Sequence, residues 1–167
     1  MEQVLSRRLA AVLCADIAGY SALIGADESG TVAALKGHQT AVLQLLQRHG
    51  GRVVDLAGDG IVAEFSSTVS AVEAAVAMQA LMAERNAEVP VNKRMIFRIG
   101  VNQGDVVHDD AHIYGDGINI AARLQQIAEP GGVYVSSKVF EEVRARCGCS
   151  RWSPARRAAR VRPNSGR

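Results

Sequence analysis

The stretch Arg52-Val53-Val54-Asp55-Leu56-Ala57-Gly58-Asp59-Gly60-Ile61-Val62-Ala63-Glu64-Phe65 sets two apolar, strand-like runs on either side of Gly-Asp-Gly. Asp tolerates and Gly favours positive φ, so the tripeptide reads as a hairpin turn. What flanks the hairpin decides the fold. Upstream, Leu9 to Ala15 is a continuous apolar run closed by Asp16, consistent with a strand buried on both faces. Ala18-Gly19-Tyr20-Ser21 then turns into a short helix. From Glu28 to His49, Val32, Leu35, Val42, Leu45 and Leu46 recur at helical spacing until Gly50-Gly51 stops them.

Downstream, Ser66-Ser67-Thr68 caps a helix with Ala71, Ala74, Ala75, Met78 and Leu81 on one side, and Pro90 marks its exit loop. Met95 to Asn102 and Asp105 to His108 read as two paired strands around Gly104, with a turn at Asp109-Asp110-Ala111. Gly115-Asp116-Gly117 opens a helix through Ile118, Ala121, Ala122 and Leu124, ended by Pro130-Gly131-Gly132. Val133-Tyr134-Val135 is a short strand, and Ser136-Ser137 caps a last helix through Val143. This order predicts an α+β sandwich: a ferredoxin-like split βαβ core sheet with helices on one face, extended by a further strand and helix.

The chain has 167 residues, 48% of them hydrophobic, enough for one domain with a sizeable core. Nothing at Met1-Glu2-Gln3-Val4 resembles a signal peptide, and the apolar run after Leu9 is far too short to span a membrane, so a cytoplasmic placement without a membrane segment is expected. Cys14, Cys147 and Cys149 have neither disulfide nor zinc-ligand spacing. Between 144 and 167 stand eight arginines and no acid, which takes the formal +2 of the whole chain to −6 for residues 1–143. The body is therefore acidic, and no specific nucleic-acid partner is expected.

Asp16 ends one strand and Asp59 tips the neighbouring hairpin, so the two carboxylates can converge. Oxygen-only ligands suit Mg²⁺ or Mn²⁺ completed by substrate phosphates. The loop Ile17-Ala18-Gly19-Tyr20-Ser21 offers backbone N–H groups to an anion. Arg98, on an otherwise apolar strand, is either a snorkelling structural arginine or a phosphate ligand. Asn119 and Arg123 are four apart and share a helical face. They form either a cap with a surface ion pair, or an amide and guanidinium set that holds a ribose and stabilises charge on phosphorus.

Taken together, Ala11-Val12-Leu13-Cys14-Ala15-Asp16-Ile17-Ala18-Gly19-Tyr20-Ser21, Leu56-Ala57-Gly58-Asp59-Gly60-Ile61, Phe97 to Gly104, Ile113 to Leu124 and Ala128-Glu129-Pro130-Gly131-Gly132 resemble the catalytic domain of class III adenylate/guanylate cyclases, especially the bacterial, rhizobial-type branch. The resemblance covers residues 7–146. It implies that Asp16, the Ile17 carbonyl and Asp59 hold two Mg²⁺ or Mn²⁺ ions per site. It further implies that Ala18, Gly19, Tyr20, Ser21 and Arg98 serve the phosphates, while Asn119 and Arg123 arrive from the other subunit of a head-to-tail homodimer. The implied reaction turns ATP, or alternatively GTP, into a 3′,5′-cyclic nucleotide and pyrophosphate.

Two departures stand out against the family pattern. Asp55 and His112 occupy the positions of the lysine and aspartate that select adenine in many members; either side chain can face adenine or guanine. After the last helix the family continues into two more strands with a triphosphate lysine, whereas residues 147–167 are rich in Arg, Ala, Ser and Pro, without a lysine. That composition predicts a basic tail without strands, disordered or read from a shifted frame. Two further readings compete: a degenerate cyclase-homology module that binds nucleotide or dimerises without turnover, and a phosphoacceptor receiver, which leaves Asn119 and Arg123 unexplained.

Overall fold

The computed structural model describes residues 6–109, 112–147 and 161–164. β1 (Ser6–Ile17) leads through α1 (Tyr20–Ala26) and α2 (Glu28–Arg48) to the hairpin of β2 (Arg52–Ala57) and β3 (Gly60–Phe65). After α3 (Thr68–Arg85) come β4 (Phe97–His108), β5 (Ile113–Tyr114), α4 (Asp116–Ile127), β6 (Val133–Ser136), α5 (Ser137–Cys147) and β7 (Val161–Asn164). The sheet order is β2-β3-β1-β4-β6-β7, with β5 paired to β4. β1 runs antiparallel to both β3 and β4, the split βαβ arrangement the sequence predicts.

Period-2 alternation along β1 feeds two separate cores. Ala11, Leu13, Ala15 and Ile17 join the larger one, with Leu46 of α2, Met78 of α3 and Val139 of α5. Ala10, Val12 and Cys14 face the other way, into a smaller cluster with Val106 and with Ala121 of α4. The helices of the split βαβ core and α5 therefore share one face, as expected, while α4 alone packs on the opposite face. That packing is intimate: a Cβ on Gly100 of β4 would lie 2.5 Å from the Gln125 backbone N, and one on Gly104 would lie 2.9 Å from Gly117 Cα. In this interface the Cys14 thiol sits under Ile118, and burial pushes its pKa up to about 12.

The Gly50 stop and the Ser67 cap are built as read, and α2 has in addition a cap at Asp27 that the sequence reading did not name. Asp27 caps α2 by accepting from the Gly30 N–H at 3.0 Å. Gly50 ends the same helix at φ 78°, and the Gly51 N–H returns to the Leu46 carbonyl. Ser67 caps α3 by accepting from the Ser70 N–H.

Two stretches differ from expectation. The two strands expected around Gly104 are one unbroken strand, because β4 pairs with β1 from Phe97 opposite Ile17 to His108 opposite Ser6. In the arginine-rich tail, residues 161–164 form β7, parallel to β6 from Val161 opposite Val133, where the composition predicts no strand. Backbone pairing to an open sheet edge needs no apolar pattern, so composition alone missed it. Residues 148–160 and 165–167, on which the rest of the disordered or frame-shifted reading falls, lie outside the described residues.

Glu64, buried on β3, ties four strands together. Its Oε1 accepts from Arg8 of β1 and from Nε of Arg52 of β2 at 2.8 Å, and its Oε2 lies 3.0 Å from Nε2 of His108 of β4. Both arginine side chains are more than half exposed (52% and 60%), so screening tempers the pairing. Glu64→Gln is expected to lower stability by about 1–2 kcal/mol, because the two arginines lose their shared anion. Urea unfolding of both proteins checks this.

His38 of α2 is buried and accepts at Nδ1 from Arg85 Nε of α3 at 2.8 Å. Burial, and secondarily the Arg85 charge, hold its pKa below the ordinary value. The unfolded chain therefore binds a proton at about pH 6.5 that the folded chain refuses. Stability contributed by neutral His38 is full above that pH and falls as pH drops through about 6.5 toward the lower folded value. Urea midpoints measured from pH 7.5 down to 5.5 should fall more steeply for the native chain than for His38→Gln.

Candidate active site

β1 and β4 bring Asp16 and Arg98 directly opposite one another, and the hairpin turn folds Asp59 back onto the end of β1. Asp59 Oδ2 accepts the Ile17 N–H at 2.9 Å, which sets the two carboxylates around a single residue. Gly58, at φ 58°, supplies the left-handed turn that allows this. Arg98 donates Nε to Asp16 Oδ1 at 2.9 Å and Nη2 to Oδ2 at 2.7 Å. Its hydrogen bond to Asp16 raises the Arg98 pKa further, and the charges of Asp16 and Asp59 add to this.

The donor set Asp16, Asp59 and Ile17 carbonyl contains only oxygen. Among the described residues no group of three or more His, Cys, Asp or Glu side chains gathers as a metal cage. Two carboxylates fit a Mg²⁺ or Mn²⁺ site that phosphates complete. The Arg98 guanidinium, lying on Asp16 with both carboxylate oxygens engaged, marks the place as one that favours a cation.

Of the four N–H groups from Ala18 to Ser21 behind Asp16, one is already engaged. The Ala18 N–H already donates to the Ile96 carbonyl at 2.9 Å, so it is no phosphate donor in this conformation. Gly19 precedes α1 at φ 67°, and the N–H groups of Gly19, Tyr20 and Ser21 have no intrachain acceptor among the described residues. The Tyr20 ring packs against the larger core.

Asn119 and Arg123 do not join this cluster. α4 buries Gly117, Ala121, Leu124 and Gln125, and at about 100° per residue Asn119 and Arg123 fall on the far side. Both are exposed, and neither side chain has a hydrogen bond or ion pair within the described residues. Ile120 and Ile127 share the exposure, at 41% and 58%. A single chain thus presents a carboxylate pair at the end of β1 and an amide and guanidinium pair on the outward side of α4, with no hydrogen bond or ion pair between the two.

Asp55 is exposed on β2 and pairs across to Val62 of β3, which packs, as Ile113 and Ile118 do, against the smaller cluster. The strand opposite Asp55 and the segment after His112 therefore border the same cluster. His112 is also exposed; its N–H donates to Asp109 Oδ1 at 2.7 Å. The two side chains share no hydrogen bond. Sequence reading missed the carbonyl of Gln126, which accepts from Arg98 Nη1 at 3.2 Å; a backbone oxygen leaves no trace in residue identity.

Residues 5–154 match the family described as the adenylate and guanylate cyclase catalytic domain. The chain belongs to this family. Its curated relatives include "Putative adenylate cyclase 3" of Rhizobium meliloti (strain 1021), 43% identical over 146 residues, which are 87% of this chain and 25% of that protein. The cyclase domain described here thus spans about a quarter of that relative's length. Among solved structures, the adenylate/guanylate cyclase/hydrolase from Silicibacter pomeroyi is 37% identical with a TM-score of 0.79, covering 85% of this chain and 83% of that one. The adenylyl cyclase CyaB from P. aeruginosa shares the fold at a TM-score of 0.76 and 21% identity, over 87% and 84% of the two chains. No helix among the described residues of this cyclase domain is long and apolar enough to cross a membrane.

Proposed function

We propose that residues 7–146 form a cytoplasmic catalytic unit that converts ATP to 3′,5′-cyclic AMP and pyrophosphate at the interface of a head-to-tail homodimer. The observation that carries the reading is the division of one chain into two half-sites: Asp16 and Asp59 gathered at Ile17, and Asn119 and Arg123 turned outward on α4 without side-chain partners among the described residues. A second copy of the chain, related by a two-fold axis, supplies each half with its complement and generates two equivalent sites. The relatives support the activity, since cyclases of both names share the family and fold.

In this reading Asp16, the Ile17 carbonyl and Asp59 hold two Mg²⁺ or Mn²⁺ ions. When bound, the ions lower the pKa of the ribose 3′-hydroxyl and neutralise the phosphates during in-line displacement at the α-phosphorus. Asn119 orients the ribose, so the 3′-oxygen faces the phosphorus rather than solvent. Arg123 meets the charge that builds on the α-phosphate oxygens as the bond to pyrophosphate breaks. The N–H groups of Gly19, Tyr20 and Ser21, together with Arg98, receive the β- and γ-phosphates.

The base contacts admit either purine. Asp55, exposed and acceptor-only, would take the adenine amino group or the N1–H and amino group of guanine, and His112 serves either by tautomer. GTP is therefore the second reading. Incubation with ATP or GTP and Mn²⁺, with the cyclic product quantified, decides between them. Absence of product from either nucleotide, in protein shown to be dimeric by sedimentation, overturns the enzyme reading in favour of a cyclase-homology module without turnover.

A further inference from the structure

Asp16 already carries a cation. The Arg98 guanidinium takes both carboxylate oxygens at once, at 2.9 and 2.7 Å, and its remaining nitrogen is anchored to the Gln126 carbonyl at the end of α4. The two side chains are 28% and 25% exposed, sheltered enough for a charge-assisted pair to outlast one on the open surface. A planar fork fixed at three points differs from a loose surface arginine, because leaving Asp16 also costs the α4 contact. The neighbouring Asp59 carboxylate deepens the negative field around the guanidinium.

We propose that Arg98 is a cap on Asp16 that competes with the divalent cation and yields only when a triphosphate is present to receive it. The inference rests on the metal reading of Asp16 and Asp59. A cation arriving alone must break two charge-assisted hydrogen bonds and strand a guanidinium without an acceptor. When the triphosphate arrives with the cation, Arg98 exchanges carboxylate oxygens for phosphate oxygens of similar geometry. Metal affinity without nucleotide is thereby held below what two convergent carboxylates would give, and metal and nucleotide promote one another's binding reciprocally.

Titration of nucleotide-free protein with Mn²⁺, read by the electron paramagnetic resonance signal of the free ion, tests the cap without recourse to turnover. Arg98→Gln is expected to bind Mn²⁺ at least about fivefold more tightly than the native chain. Arg98→Lys is expected to follow it, because one ammonium cannot cover both oxygens. Adding Asp16→Asn to Arg98→Gln should abolish the gain. Circular dichroism and thermal melting verify folding, and Arg98→Lys carries the test if the glutamine variant does not fold. Unchanged or weaker Mn²⁺ binding in the Arg98 variants, with loss in Asp16→Asn alone, overturns the cap and leaves the metal reading standing. Equal binding with and without Asp16 overturns both. If Arg98→Lys binds like the native chain while Arg98→Gln binds more tightly, the effect is one of nearby charge and the cap is overturned.

Discussion

Asp59→Ala protein is expected to form cyclic nucleotide at least about a hundredfold more slowly than the native chain, a loss of about 3 kcal/mol in transition-state stabilisation. The carboxylate is one of only two gathered at Ile17, and no neighbouring acid among the described residues can replace it. Arg123→Ala should show a comparable defect for a different reason, the loss of charge stabilisation at phosphorus. The two defects lie on different elements of one chain, the β2–β3 turn and α4, and this permits a stringent experiment. Mixing the two inactive proteins creates mixed dimers in which one site carries both lesions and the other carries neither. Random exchange makes about half of the dimers mixed, each with one of its two sites intact, so activity should recover to about a quarter of native. Failure to recover, with subunit exchange demonstrated, would show that the four residues do not act across a two-fold interface.

Gly100→Ala is expected to be the most damaging conservative change to stability, by about 3 kcal/mol or more. A methyl group there would press against the Ala121 carbonyl and the Gln125 N of α4, both backbone atoms, with the Leu124 side chain 3.0 Å away. No rotamer change relieves a clash with a helix backbone, so α4 must move off the sheet. That helix carries Asn119, Arg123 and the carbonyl that anchors Arg98. The substitution should therefore lower the urea midpoint and catalytic turnover together. A native midpoint in the variant would mean that α4 is less tightly seated than the glycine contacts require.

Much of this architecture was legible before any coordinates. The hairpin announced itself through Gly58-Asp59-Gly60, and the helices through spacing and caps, so the split βαβ core and the meeting of Asp16 with Asp59 followed. The side of the sheet that α4 occupies was not legible. Ile118, Ala121 and Leu124 give a helix period, but periodicity says which side of a helix is buried and nothing about which face of a sheet it covers. The unbroken β4 was hidden because Gly104 imitates a turn, whereas its role is to let the backbone approach Gly117. The Arg98 fork was half legible: residue type suggested an anion partner, and only the register of β1 against β4 identified it as Asp16. Glu64 was missed because its partners, Arg8, Arg52 and His108, come from three other strands at long sequence separations.

The Cys14 thiol offers a use that its inertness first conceals. With its pKa pushed up to about 12 and Ile118 of α4 above it, it can meet a thiol reagent only when α4 lifts from the sheet. In a chain whose other two cysteines are changed to serine, the labelling rate becomes a clock for that opening. A ligand that steadies α4 should slow the clock, and a lesion such as Gly100→Ala should hasten it. The protein thus contains, two residues before Asp16, a chemical probe for the movement of the helix that carries Asn119 and Arg123.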